Sequence, residues 1–358
     1  MKKQIAILSG DGIGPEVMAQ ALRVLEWTCD KESISLECIP AYIGGAAYER
    51  YEHHFPQETQ KICASADAIL LGSVGGPIDK AHLPKWKNCE ANALLALRKT
   101  FSFNINLRPA KIYKVLRDIS PLKSTVLGEN VEILIVRELM GDVYFGEHYQ
   151  GIKNNQRYAS DLAEYNESQI AAVAHQAFQA ALSRSKKVTS VDKANVLATS
   201  KLWREVVTEI ATHYPEVALQ HMLVDNCAMQ LILNPRQFDV ILTSNLFGDI
   251  LSDAASVIPG SLGLMPSASI NEAGFGLYEP AGGSAPDLAD KNIANPIAQI
   301  LSTAMMLRYS FHREDAAERI ENAILKTLEE GYRTRDIAKE GDVVLGTKEF
   351  TDKIIENL

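Results

Sequence analysis

The sequence has 358 residues, 46% hydrophobic and 23% charged, with 36 Lys and Arg against 45 Asp and Glu and a formal net charge of −9. That length predicts about two domains and a sizeable core, and the acidic balance argues against nucleic acid, whose phosphates call for cations. No apolar run approaches the roughly 20 residues that span a bilayer, so no membrane partner is expected. Cys29, Cys38, Cys63, Cys89 and Cys227 are widely spaced with no C-x-x-C, and no H-E-x-x-H occurs. A disulfide framework or thiolate zinc site is therefore not expected, and the reducing cytoplasm is the default.

In chain order, Met1 to Leu8 carries the charge of a signal peptide but lacks its apolar region and cleavage site, and reads as a strand. Short apolar runs at Gln4–Leu8, Ala68–Leu71, Glu132–Val136, Val188–Val191 and Asp239–Thr243 suit strands buried on both faces. Helical patterns lie between them. Pro15 opens one, with Val17, Ala21, Leu22 and Leu25 on a stripe, and Glu167–Ser183, Ser200–His213 and Pro296–Arg308 read similarly. Such alternation predicts an α/β fold. Tyr144–Tyr165 is polar and loop-like with β-prone ends, a stretch that could serve as an arm against a partner chain.

Several groups along this frame could carry chemistry. Gly10-Asp11-Gly12-Ile13-Gly14-Pro15 follows a strand and precedes a helix, yet G-x-G-x-x-G occurs nowhere, so a standard Rossmann fold is not supported. A tight glycine turn explains it as well. Arg98, Arg108 and Arg137 offer planar forks for carboxylates, and solvated surface arginines are the rival reading. Asp249 and Asp253, at i and i+4, share one helix face; with Ser252 and Ser256 they also make an ordinary exposed polar face. Asp225, ending the strand-like Leu219–Val224, could add a third carboxylate, and an all-oxygen set favours Mg²⁺ or Mn²⁺. Lys193 and Tyr144 are candidate proton-transfer groups. The Gly/Ser/Pro loop from Glu279 to Pro296 is either a plain connection or a nucleotide cradle with Asp287 accepting from ribose hydroxyls.

Taken together, Gly10-Asp-Gly-Ile-Gly-Pro-Glu16, Asn245-Leu-Phe-Gly-Asp-Ile-Leu-Ser-Asp253, Pro259-Gly-Ser-Leu-Gly263 and the segment reaching Asn295-Pro296 resemble the β-decarboxylating hydroxyacid dehydrogenases, the isocitrate and isopropylmalate enzymes. The resemblance implies two α/β domains with a long mixed sheet, roughly 1–103 with 260–358 and 104–259. It also implies a homodimer with shared active sites, interlocked through the stretch after Tyr144. Arg98, Arg108 and Arg137 would clamp a dicarboxylate substrate, and Asp225, Asp249 and Asp253 would hold Mg²⁺ or Mn²⁺, Asp225 also meeting the substrate. Lys193 and Asp225 would come from the other subunit. Lys193 would take the hydroxyl proton and Tyr144 would return one to carbon. NAD would lie on Gly283, Ser284, Ala285, Asp287 and Asn295, with Gly76 and Glu90 toward the nicotinamide.

Leu94 and Leu95 match positions that meet an isopropyl group, where a third carboxylate would be costly to bury. The implied reaction is the NAD-dependent oxidative decarboxylation of 3-isopropylmalate to 4-methyl-2-oxopentanoate and CO₂, on the route to leucine. The alternatives are homoisocitrate, tartrate or isocitrate as substrate, or a non-catalytic regulatory homologue. Two departures stand out: Gly282 replaces a common histidine, and Ile78-Asp79 replaces a common Lys-Trp.

Overall fold

The computed structural model describes residues 3–128 and 131–358; Met1 and Lys2 of the expected first strand lie outside them. Two compact units form, one from Met1–Phe103, Tyr113–Pro121 and Pro259–Leu358, the other from Asn104–Ile112 and Leu122–Ile258. The chain lays down β1 (Lys3–Gly10), β2 (Leu36–Pro40) and β3 (Ala68–Ser73) in the first unit. It then forms β4 (Ile105–Lys111), β5 (Glu132–Glu138), β6 (His148–Lys153), β7 (Gln156–Asp161), β8 (Lys187–Asp192), β9 (Ala218–Leu223) and β10 (Val240–Thr243) in the second. It returns to the first for β11 (Pro266–Ile270) and β12 (Gly276–Pro280).

Within each unit the strands pair in mixed fashion. The first unit orders its strands β2-β1-β3-β12-β11, parallel except for the antiparallel β11–β12 pair. The second orders them β4-β5-β10-β8-β9, parallel except for β4–β5. Ala68–Ser73 and Val240–Thr243 are buried throughout, because helices cover both sides of a parallel sheet. The Ile297–Tyr309 helix corrects the one-sided stripe expected there. Every residue from Ile297 to Leu307 is buried, and the helix packs on β11, β12 and two other helices.

The glycine turn after β1 has a physical reason. Gly12 adopts φ +57°, and a Cβ there would lie 2.0 Å from the Ser284 carbonyl oxygen, which accepts from the Ile13 amide at 2.8 Å. The buried Asp11 carboxylate accepts from the Gly45 and Ala46 amides at 2.9 Å and the Gly75 amide at 3.0 Å. The turn after β1, the first turn of the Gly44–Tyr51 helix and the loop after β3 are thereby tied together within one unit. In the second unit, β6 and β7 put strand in the middle of the stretch expected to be loop-like with β-prone ends, as a hairpin turning on Asn154 and Asn155 at φ +51° and +58°. Both positive angles fit the mirror-image turn favoured by two-residue hairpins.

Candidate active site

Side chains of β4 and β5 lay the floor of the site in the second unit. Asn106 pairs in register with Arg137, Arg108 lies two residues along the same strand, and Thr243 of β10 pairs with Arg137 from the other side. The period of two puts Asn106, Arg108 and Arg137 on one face. The Asn245–Ser256 helix lies on that face. Gly248 permits the approach: a Cβ there would meet Arg137 Cγ at 2.6 Å and Thr243 Cγ2 at 2.8 Å.

The surface-arginine reading fails. Arg98, Arg108 and Arg137 are 6%, 7% and 2% exposed. Buried guanidinium must be matched, and the matching groups are specific. Arg108 donates to Asn106 Oδ1 and Ser252 Oγ at 2.8 Å and to Asp253 Oδ1 at 3.2 Å. Arg137 donates to Asn245 Oδ1 through Nε at 3.1 Å and Nη2 at 2.7 Å, and pairs directly with Asp249. Arg108 Nη2 reaches the same Asp249 oxygen at 3.8 Å. Tyr144 donates its hydroxyl to the other Asp249 oxygen at 2.8 Å, with Arg137 5.8 Å from its ring centroid.

These contacts set the electrostatics. Burial works against an ionised Asp249, but Arg137, the Tyr144 hydroxyl and Arg108 together hold its carboxyl below the usual range. Burial and the Asp249 bond push the Tyr144 phenol up to about 12, so it keeps its proton at neutral pH. Asp253 is the exposed member of the pair, its side chain 69% open. Ser252 and Ser256 are buried at 1% and 2%, which corrects the reading of this stripe as an exposed polar face.

Lys193 follows β8 directly, and Asp225 stands in the first turn of the Val224–Leu233 helix rather than at a strand end. Lys193 Nζ donates to Asp225 Oδ1 at 2.5 Å, which holds that carboxyl below its ordinary range. Asp249 and Asp253 offer oxygen donors one turn apart, a chemistry that fits a hard divalent cation. Among the described residues, however, no three His, Cys, Asp or Glu side chains gather to hold a metal ion.

In the first unit, Arg98 Nη2 donates to Glu279 Oε1 at 3.0 Å, both residues buried, while the buried Arg98 Nε has no hydrogen-bond partner. Leu94 and Leu95, half-buried, lie one turn before it. The Gly283–Ala285 loop has open space above it: no atom lies within 4 Å of a Cβ built at Gly283, and the nearest at Gly282 is 3.8 Å away. A cofactor could approach that backbone closely. Ser284 is buried, Ala285 sits at φ +37°, and Asp287 is exposed in the Pro286–Leu288 turn. Asn295 accepts from the Ile297 amide and donates to Asp336, each at 3.0 Å, so its side chain is already engaged. The Trp86 ring covers Gly76, 2.2 Å from where a Cβ would stand, and Glu90 is exposed.

Sequence reasoning missed Asn106, Ser252, Asn245 and Glu279 as partners of the arginines. Asn106 carried a usable signal, because two residues along a strand share a face; Glu279 carried none, lying far from Arg98 in sequence.

Residues 4–354 match the family described as isocitrate/isopropylmalate dehydrogenase. A 3-isopropylmalate dehydrogenase of Clostridium acetobutylicum is 50% identical over 355 residues, covering 99% of both chains. One from Haemophilus influenzae is 54% identical, covering 95% of both, and one from Thermotoga maritima 52%, covering 99% of both. The crystal structure of isocitrate dehydrogenase from Methylococcus capsulatus superposes with a TM-score of 0.86 at 33% identity, covering 99% of both chains.

Proposed function

Because the chain belongs to the isocitrate/isopropylmalate dehydrogenase family, we propose that it oxidises and decarboxylates 3-isopropylmalate with NAD⁺, giving 4-methyl-2-oxopentanoate and CO₂ in leucine biosynthesis. The observation that carries this reading is the convergence of Arg108, Arg137 and Tyr144 on Asp249. Arg108 and Arg137 are balanced by Asp249 and Asp253, so the cluster is formally neutral. A dicarboxylate dianion enters such a cluster at least cost together with a divalent cation. Bound Mg²⁺ or Mn²⁺ would supply Lewis-acid polarisation, and bound NAD⁺ would accept the hydride. Asp249 and Asp253 would hold the metal, and the open Gly283–Ala285 backbone with Asp287 would hold the dinucleotide.

The remaining steps fall to the chain's own side chains. Arg98, Arg108 and Arg137 bind and orient the two carboxylates, the bare Arg98 Nε offering an unused donor. Lys193, held by Asp225, would take the hydroxyl proton as hydride leaves, its own proton passing to Asp225 or to water so that the amine is free to accept. Tyr144, kept protonated, returns a proton to carbon after CO₂ departs. Leu94 and Leu95 give the isopropyl group an apolar seat and leave a third carboxylate unpaired, which favours isopropylmalate over isocitrate.

A second copy supplies what one chain lacks. Among the described residues no third carboxylate joins Asp249 and Asp253, and an apolar stripe of Ile250 and Val257, 58% and 54% exposed, runs beside them. Met229, Ile232 and Leu233, at 54%, 60% and 65%, share the helix of Asp225. Pairing these faces in a homodimer buries apolar surface and brings the partner's Asp225 and Lys193 to the acidic pair. The β6–β7 arm, with Tyr149 and Ile152 exposed, adds to the same contact.

The test is NADH formation from 3-isopropylmalate with Mg²⁺. Turnover is expected, with loss in EDTA and little rate with NADP⁺ or isocitrate. A higher kcat/KM for isocitrate, homoisocitrate or tartrate would overturn the substrate assignment.

A further inference from the structure

Arg137 is held from behind by a buried chain of polar groups that the reaction does not itself require. Its Nε and Nη2 both donate to Asn245 Oδ1, which fixes the plane of the guanidinium. Asn245 is fixed in turn. Its Nδ2 donates to the Gly141 carbonyl at 3.1 Å, and its backbone N–H donates to the Tyr165 hydroxyl oxygen at 2.9 Å. The Tyr165 hydroxyl donates to the carboxylate of Glu138, the residue after Arg137 on β5. Glu138 is fully buried and also accepts from the Met140 and Gly141 amides at 2.6 and 2.8 Å. The Tyr165 ring stands edge-on to Trp203 at 5.5 Å and fills the place a Cβ at Gly141 would need.

A buried carboxylate with no Lys, Arg or His paired to it among the described residues needs a reason, since an apolar residue would cost less at such a place. Neighbouring β5 residues point to opposite sides of the sheet. The loop Met140–Gly141 and Tyr165 carry the connection round the strand end, from one face to the other. We propose that Glu138 and Tyr165 are positioning residues for the substrate clamp: through Asn245 they fix the guanidinium plane of Arg137. This rests on the reading of Arg137 as a carboxylate ligand. A guanidinium free to rotate can still neutralise charge, but it loses the paired geometry that gives a bidentate grip.

Tyr165→Phe keeps the ring packed against Trp203 and removes only the hydroxyl. The loss of the hydroxyl's two buried hydrogen bonds, from the Asn245 amide and to Glu138, predicts a rise of about tenfold in KM for 3-isopropylmalate, with KM for NAD⁺ unchanged and kcat lowered less. Glu138→Gln, which keeps the shape and one acceptor, is expected to give a smaller rise in the same constant. A merely structural role would lower the melting temperature and leave the two KM values in their parental ratio. Arg137→Lys is measured alongside. If Arg137→Lys raises KM for 3-isopropylmalate while Tyr165→Phe and Glu138→Gln stay within twofold of the parent, the positioning role is overturned. If Arg137→Lys leaves that KM unchanged, the assignment of Arg137 fails, and the positioning role fails with it.

Discussion

At the scale of single residues, the site rests on buried titratable groups matched by polar partners, and the cost of burying them appears in the pH dependence of stability. Glu138 is the clearest case. Burial raises its carboxyl from 4.5 to about 7, against the pull of the Met140 and Gly141 amides and Tyr165, with Asp142 adding repulsion. A folded value above the unfolded one means stability is complete below about pH 4.5 and falls as pH rises through 7. At 1.36 kcal/mol per unit the loss is at most about 3 kcal/mol. Glu138→Gln, which does not titrate, is expected to show a flatter stability curve between pH 5 and 8 in denaturant melts. A slope equal to the parent's would sink the assignment. None of this was legible in the sequence, where Glu138 is one carboxylate in an ordinary strand end. Asp249 and Asp253 were legible, because their i, i+4 spacing within one element announces a shared face; the arginines, on three different elements, were legible only as residue types suited to carboxylates. Their partners lie on other elements, and only the fold brings them together.

The element that governs the site is the Asn245–Ser256 helix, which carries both metal-candidate carboxylates and rests on Arg137. Its start is capped from outside. Ser244 makes no side-chain cap, while Tyr165 and Asp142 accept from the Asn245 and Leu246 amides at 2.9 and 3.1 Å. Gly248 lets the helix settle on the strand residues below. In Gly248→Ala the new methyl would press on the near end of Arg137 and on Thr243, and such overpacking costs about 1–3 kcal/mol. A fall of several degrees in melting temperature is expected with a raised KM for 3-isopropylmalate, since Arg137 must move. Parental values for both would show that the helix approaches less closely than described. The helix itself was readable from its i, i+4 pattern. The antiparallel β4–β5 and β11–β12 pairs were not, because Ile105–Lys111, Pro266–Ile270 and Gly276–Pro280 are short and interrupted by polar residues, Pro or Gly, and so show no apolar run.

For the whole molecule, a net charge of −9 says little about a dianionic ligand, because Arg108 and Arg137 are set locally against Asp249 and Asp253. What decides whether the site works is the number of chains that build it. If the partner's Lys193 and Asp225 complete each site, two defects in different chains can compensate. Lys193→Met spoils the site it serves across the dimer, and Asp253→Asn spoils the site of its own chain. Each variant alone is expected to form an inactive dimer. In a mixed dimer of the two, isolated through different affinity tags, one site takes Asp253 and Lys193 from the unaltered positions, and the other takes both defects. One of the two sites is then intact, so the mixed dimer is expected to show about half the parental rate. Sites built within single chains would leave the mixed dimer as inactive as its parents. Failure to recover any mixed dimer would overturn the pairing of the Val224–Leu233 and Asn245–Ser256 faces.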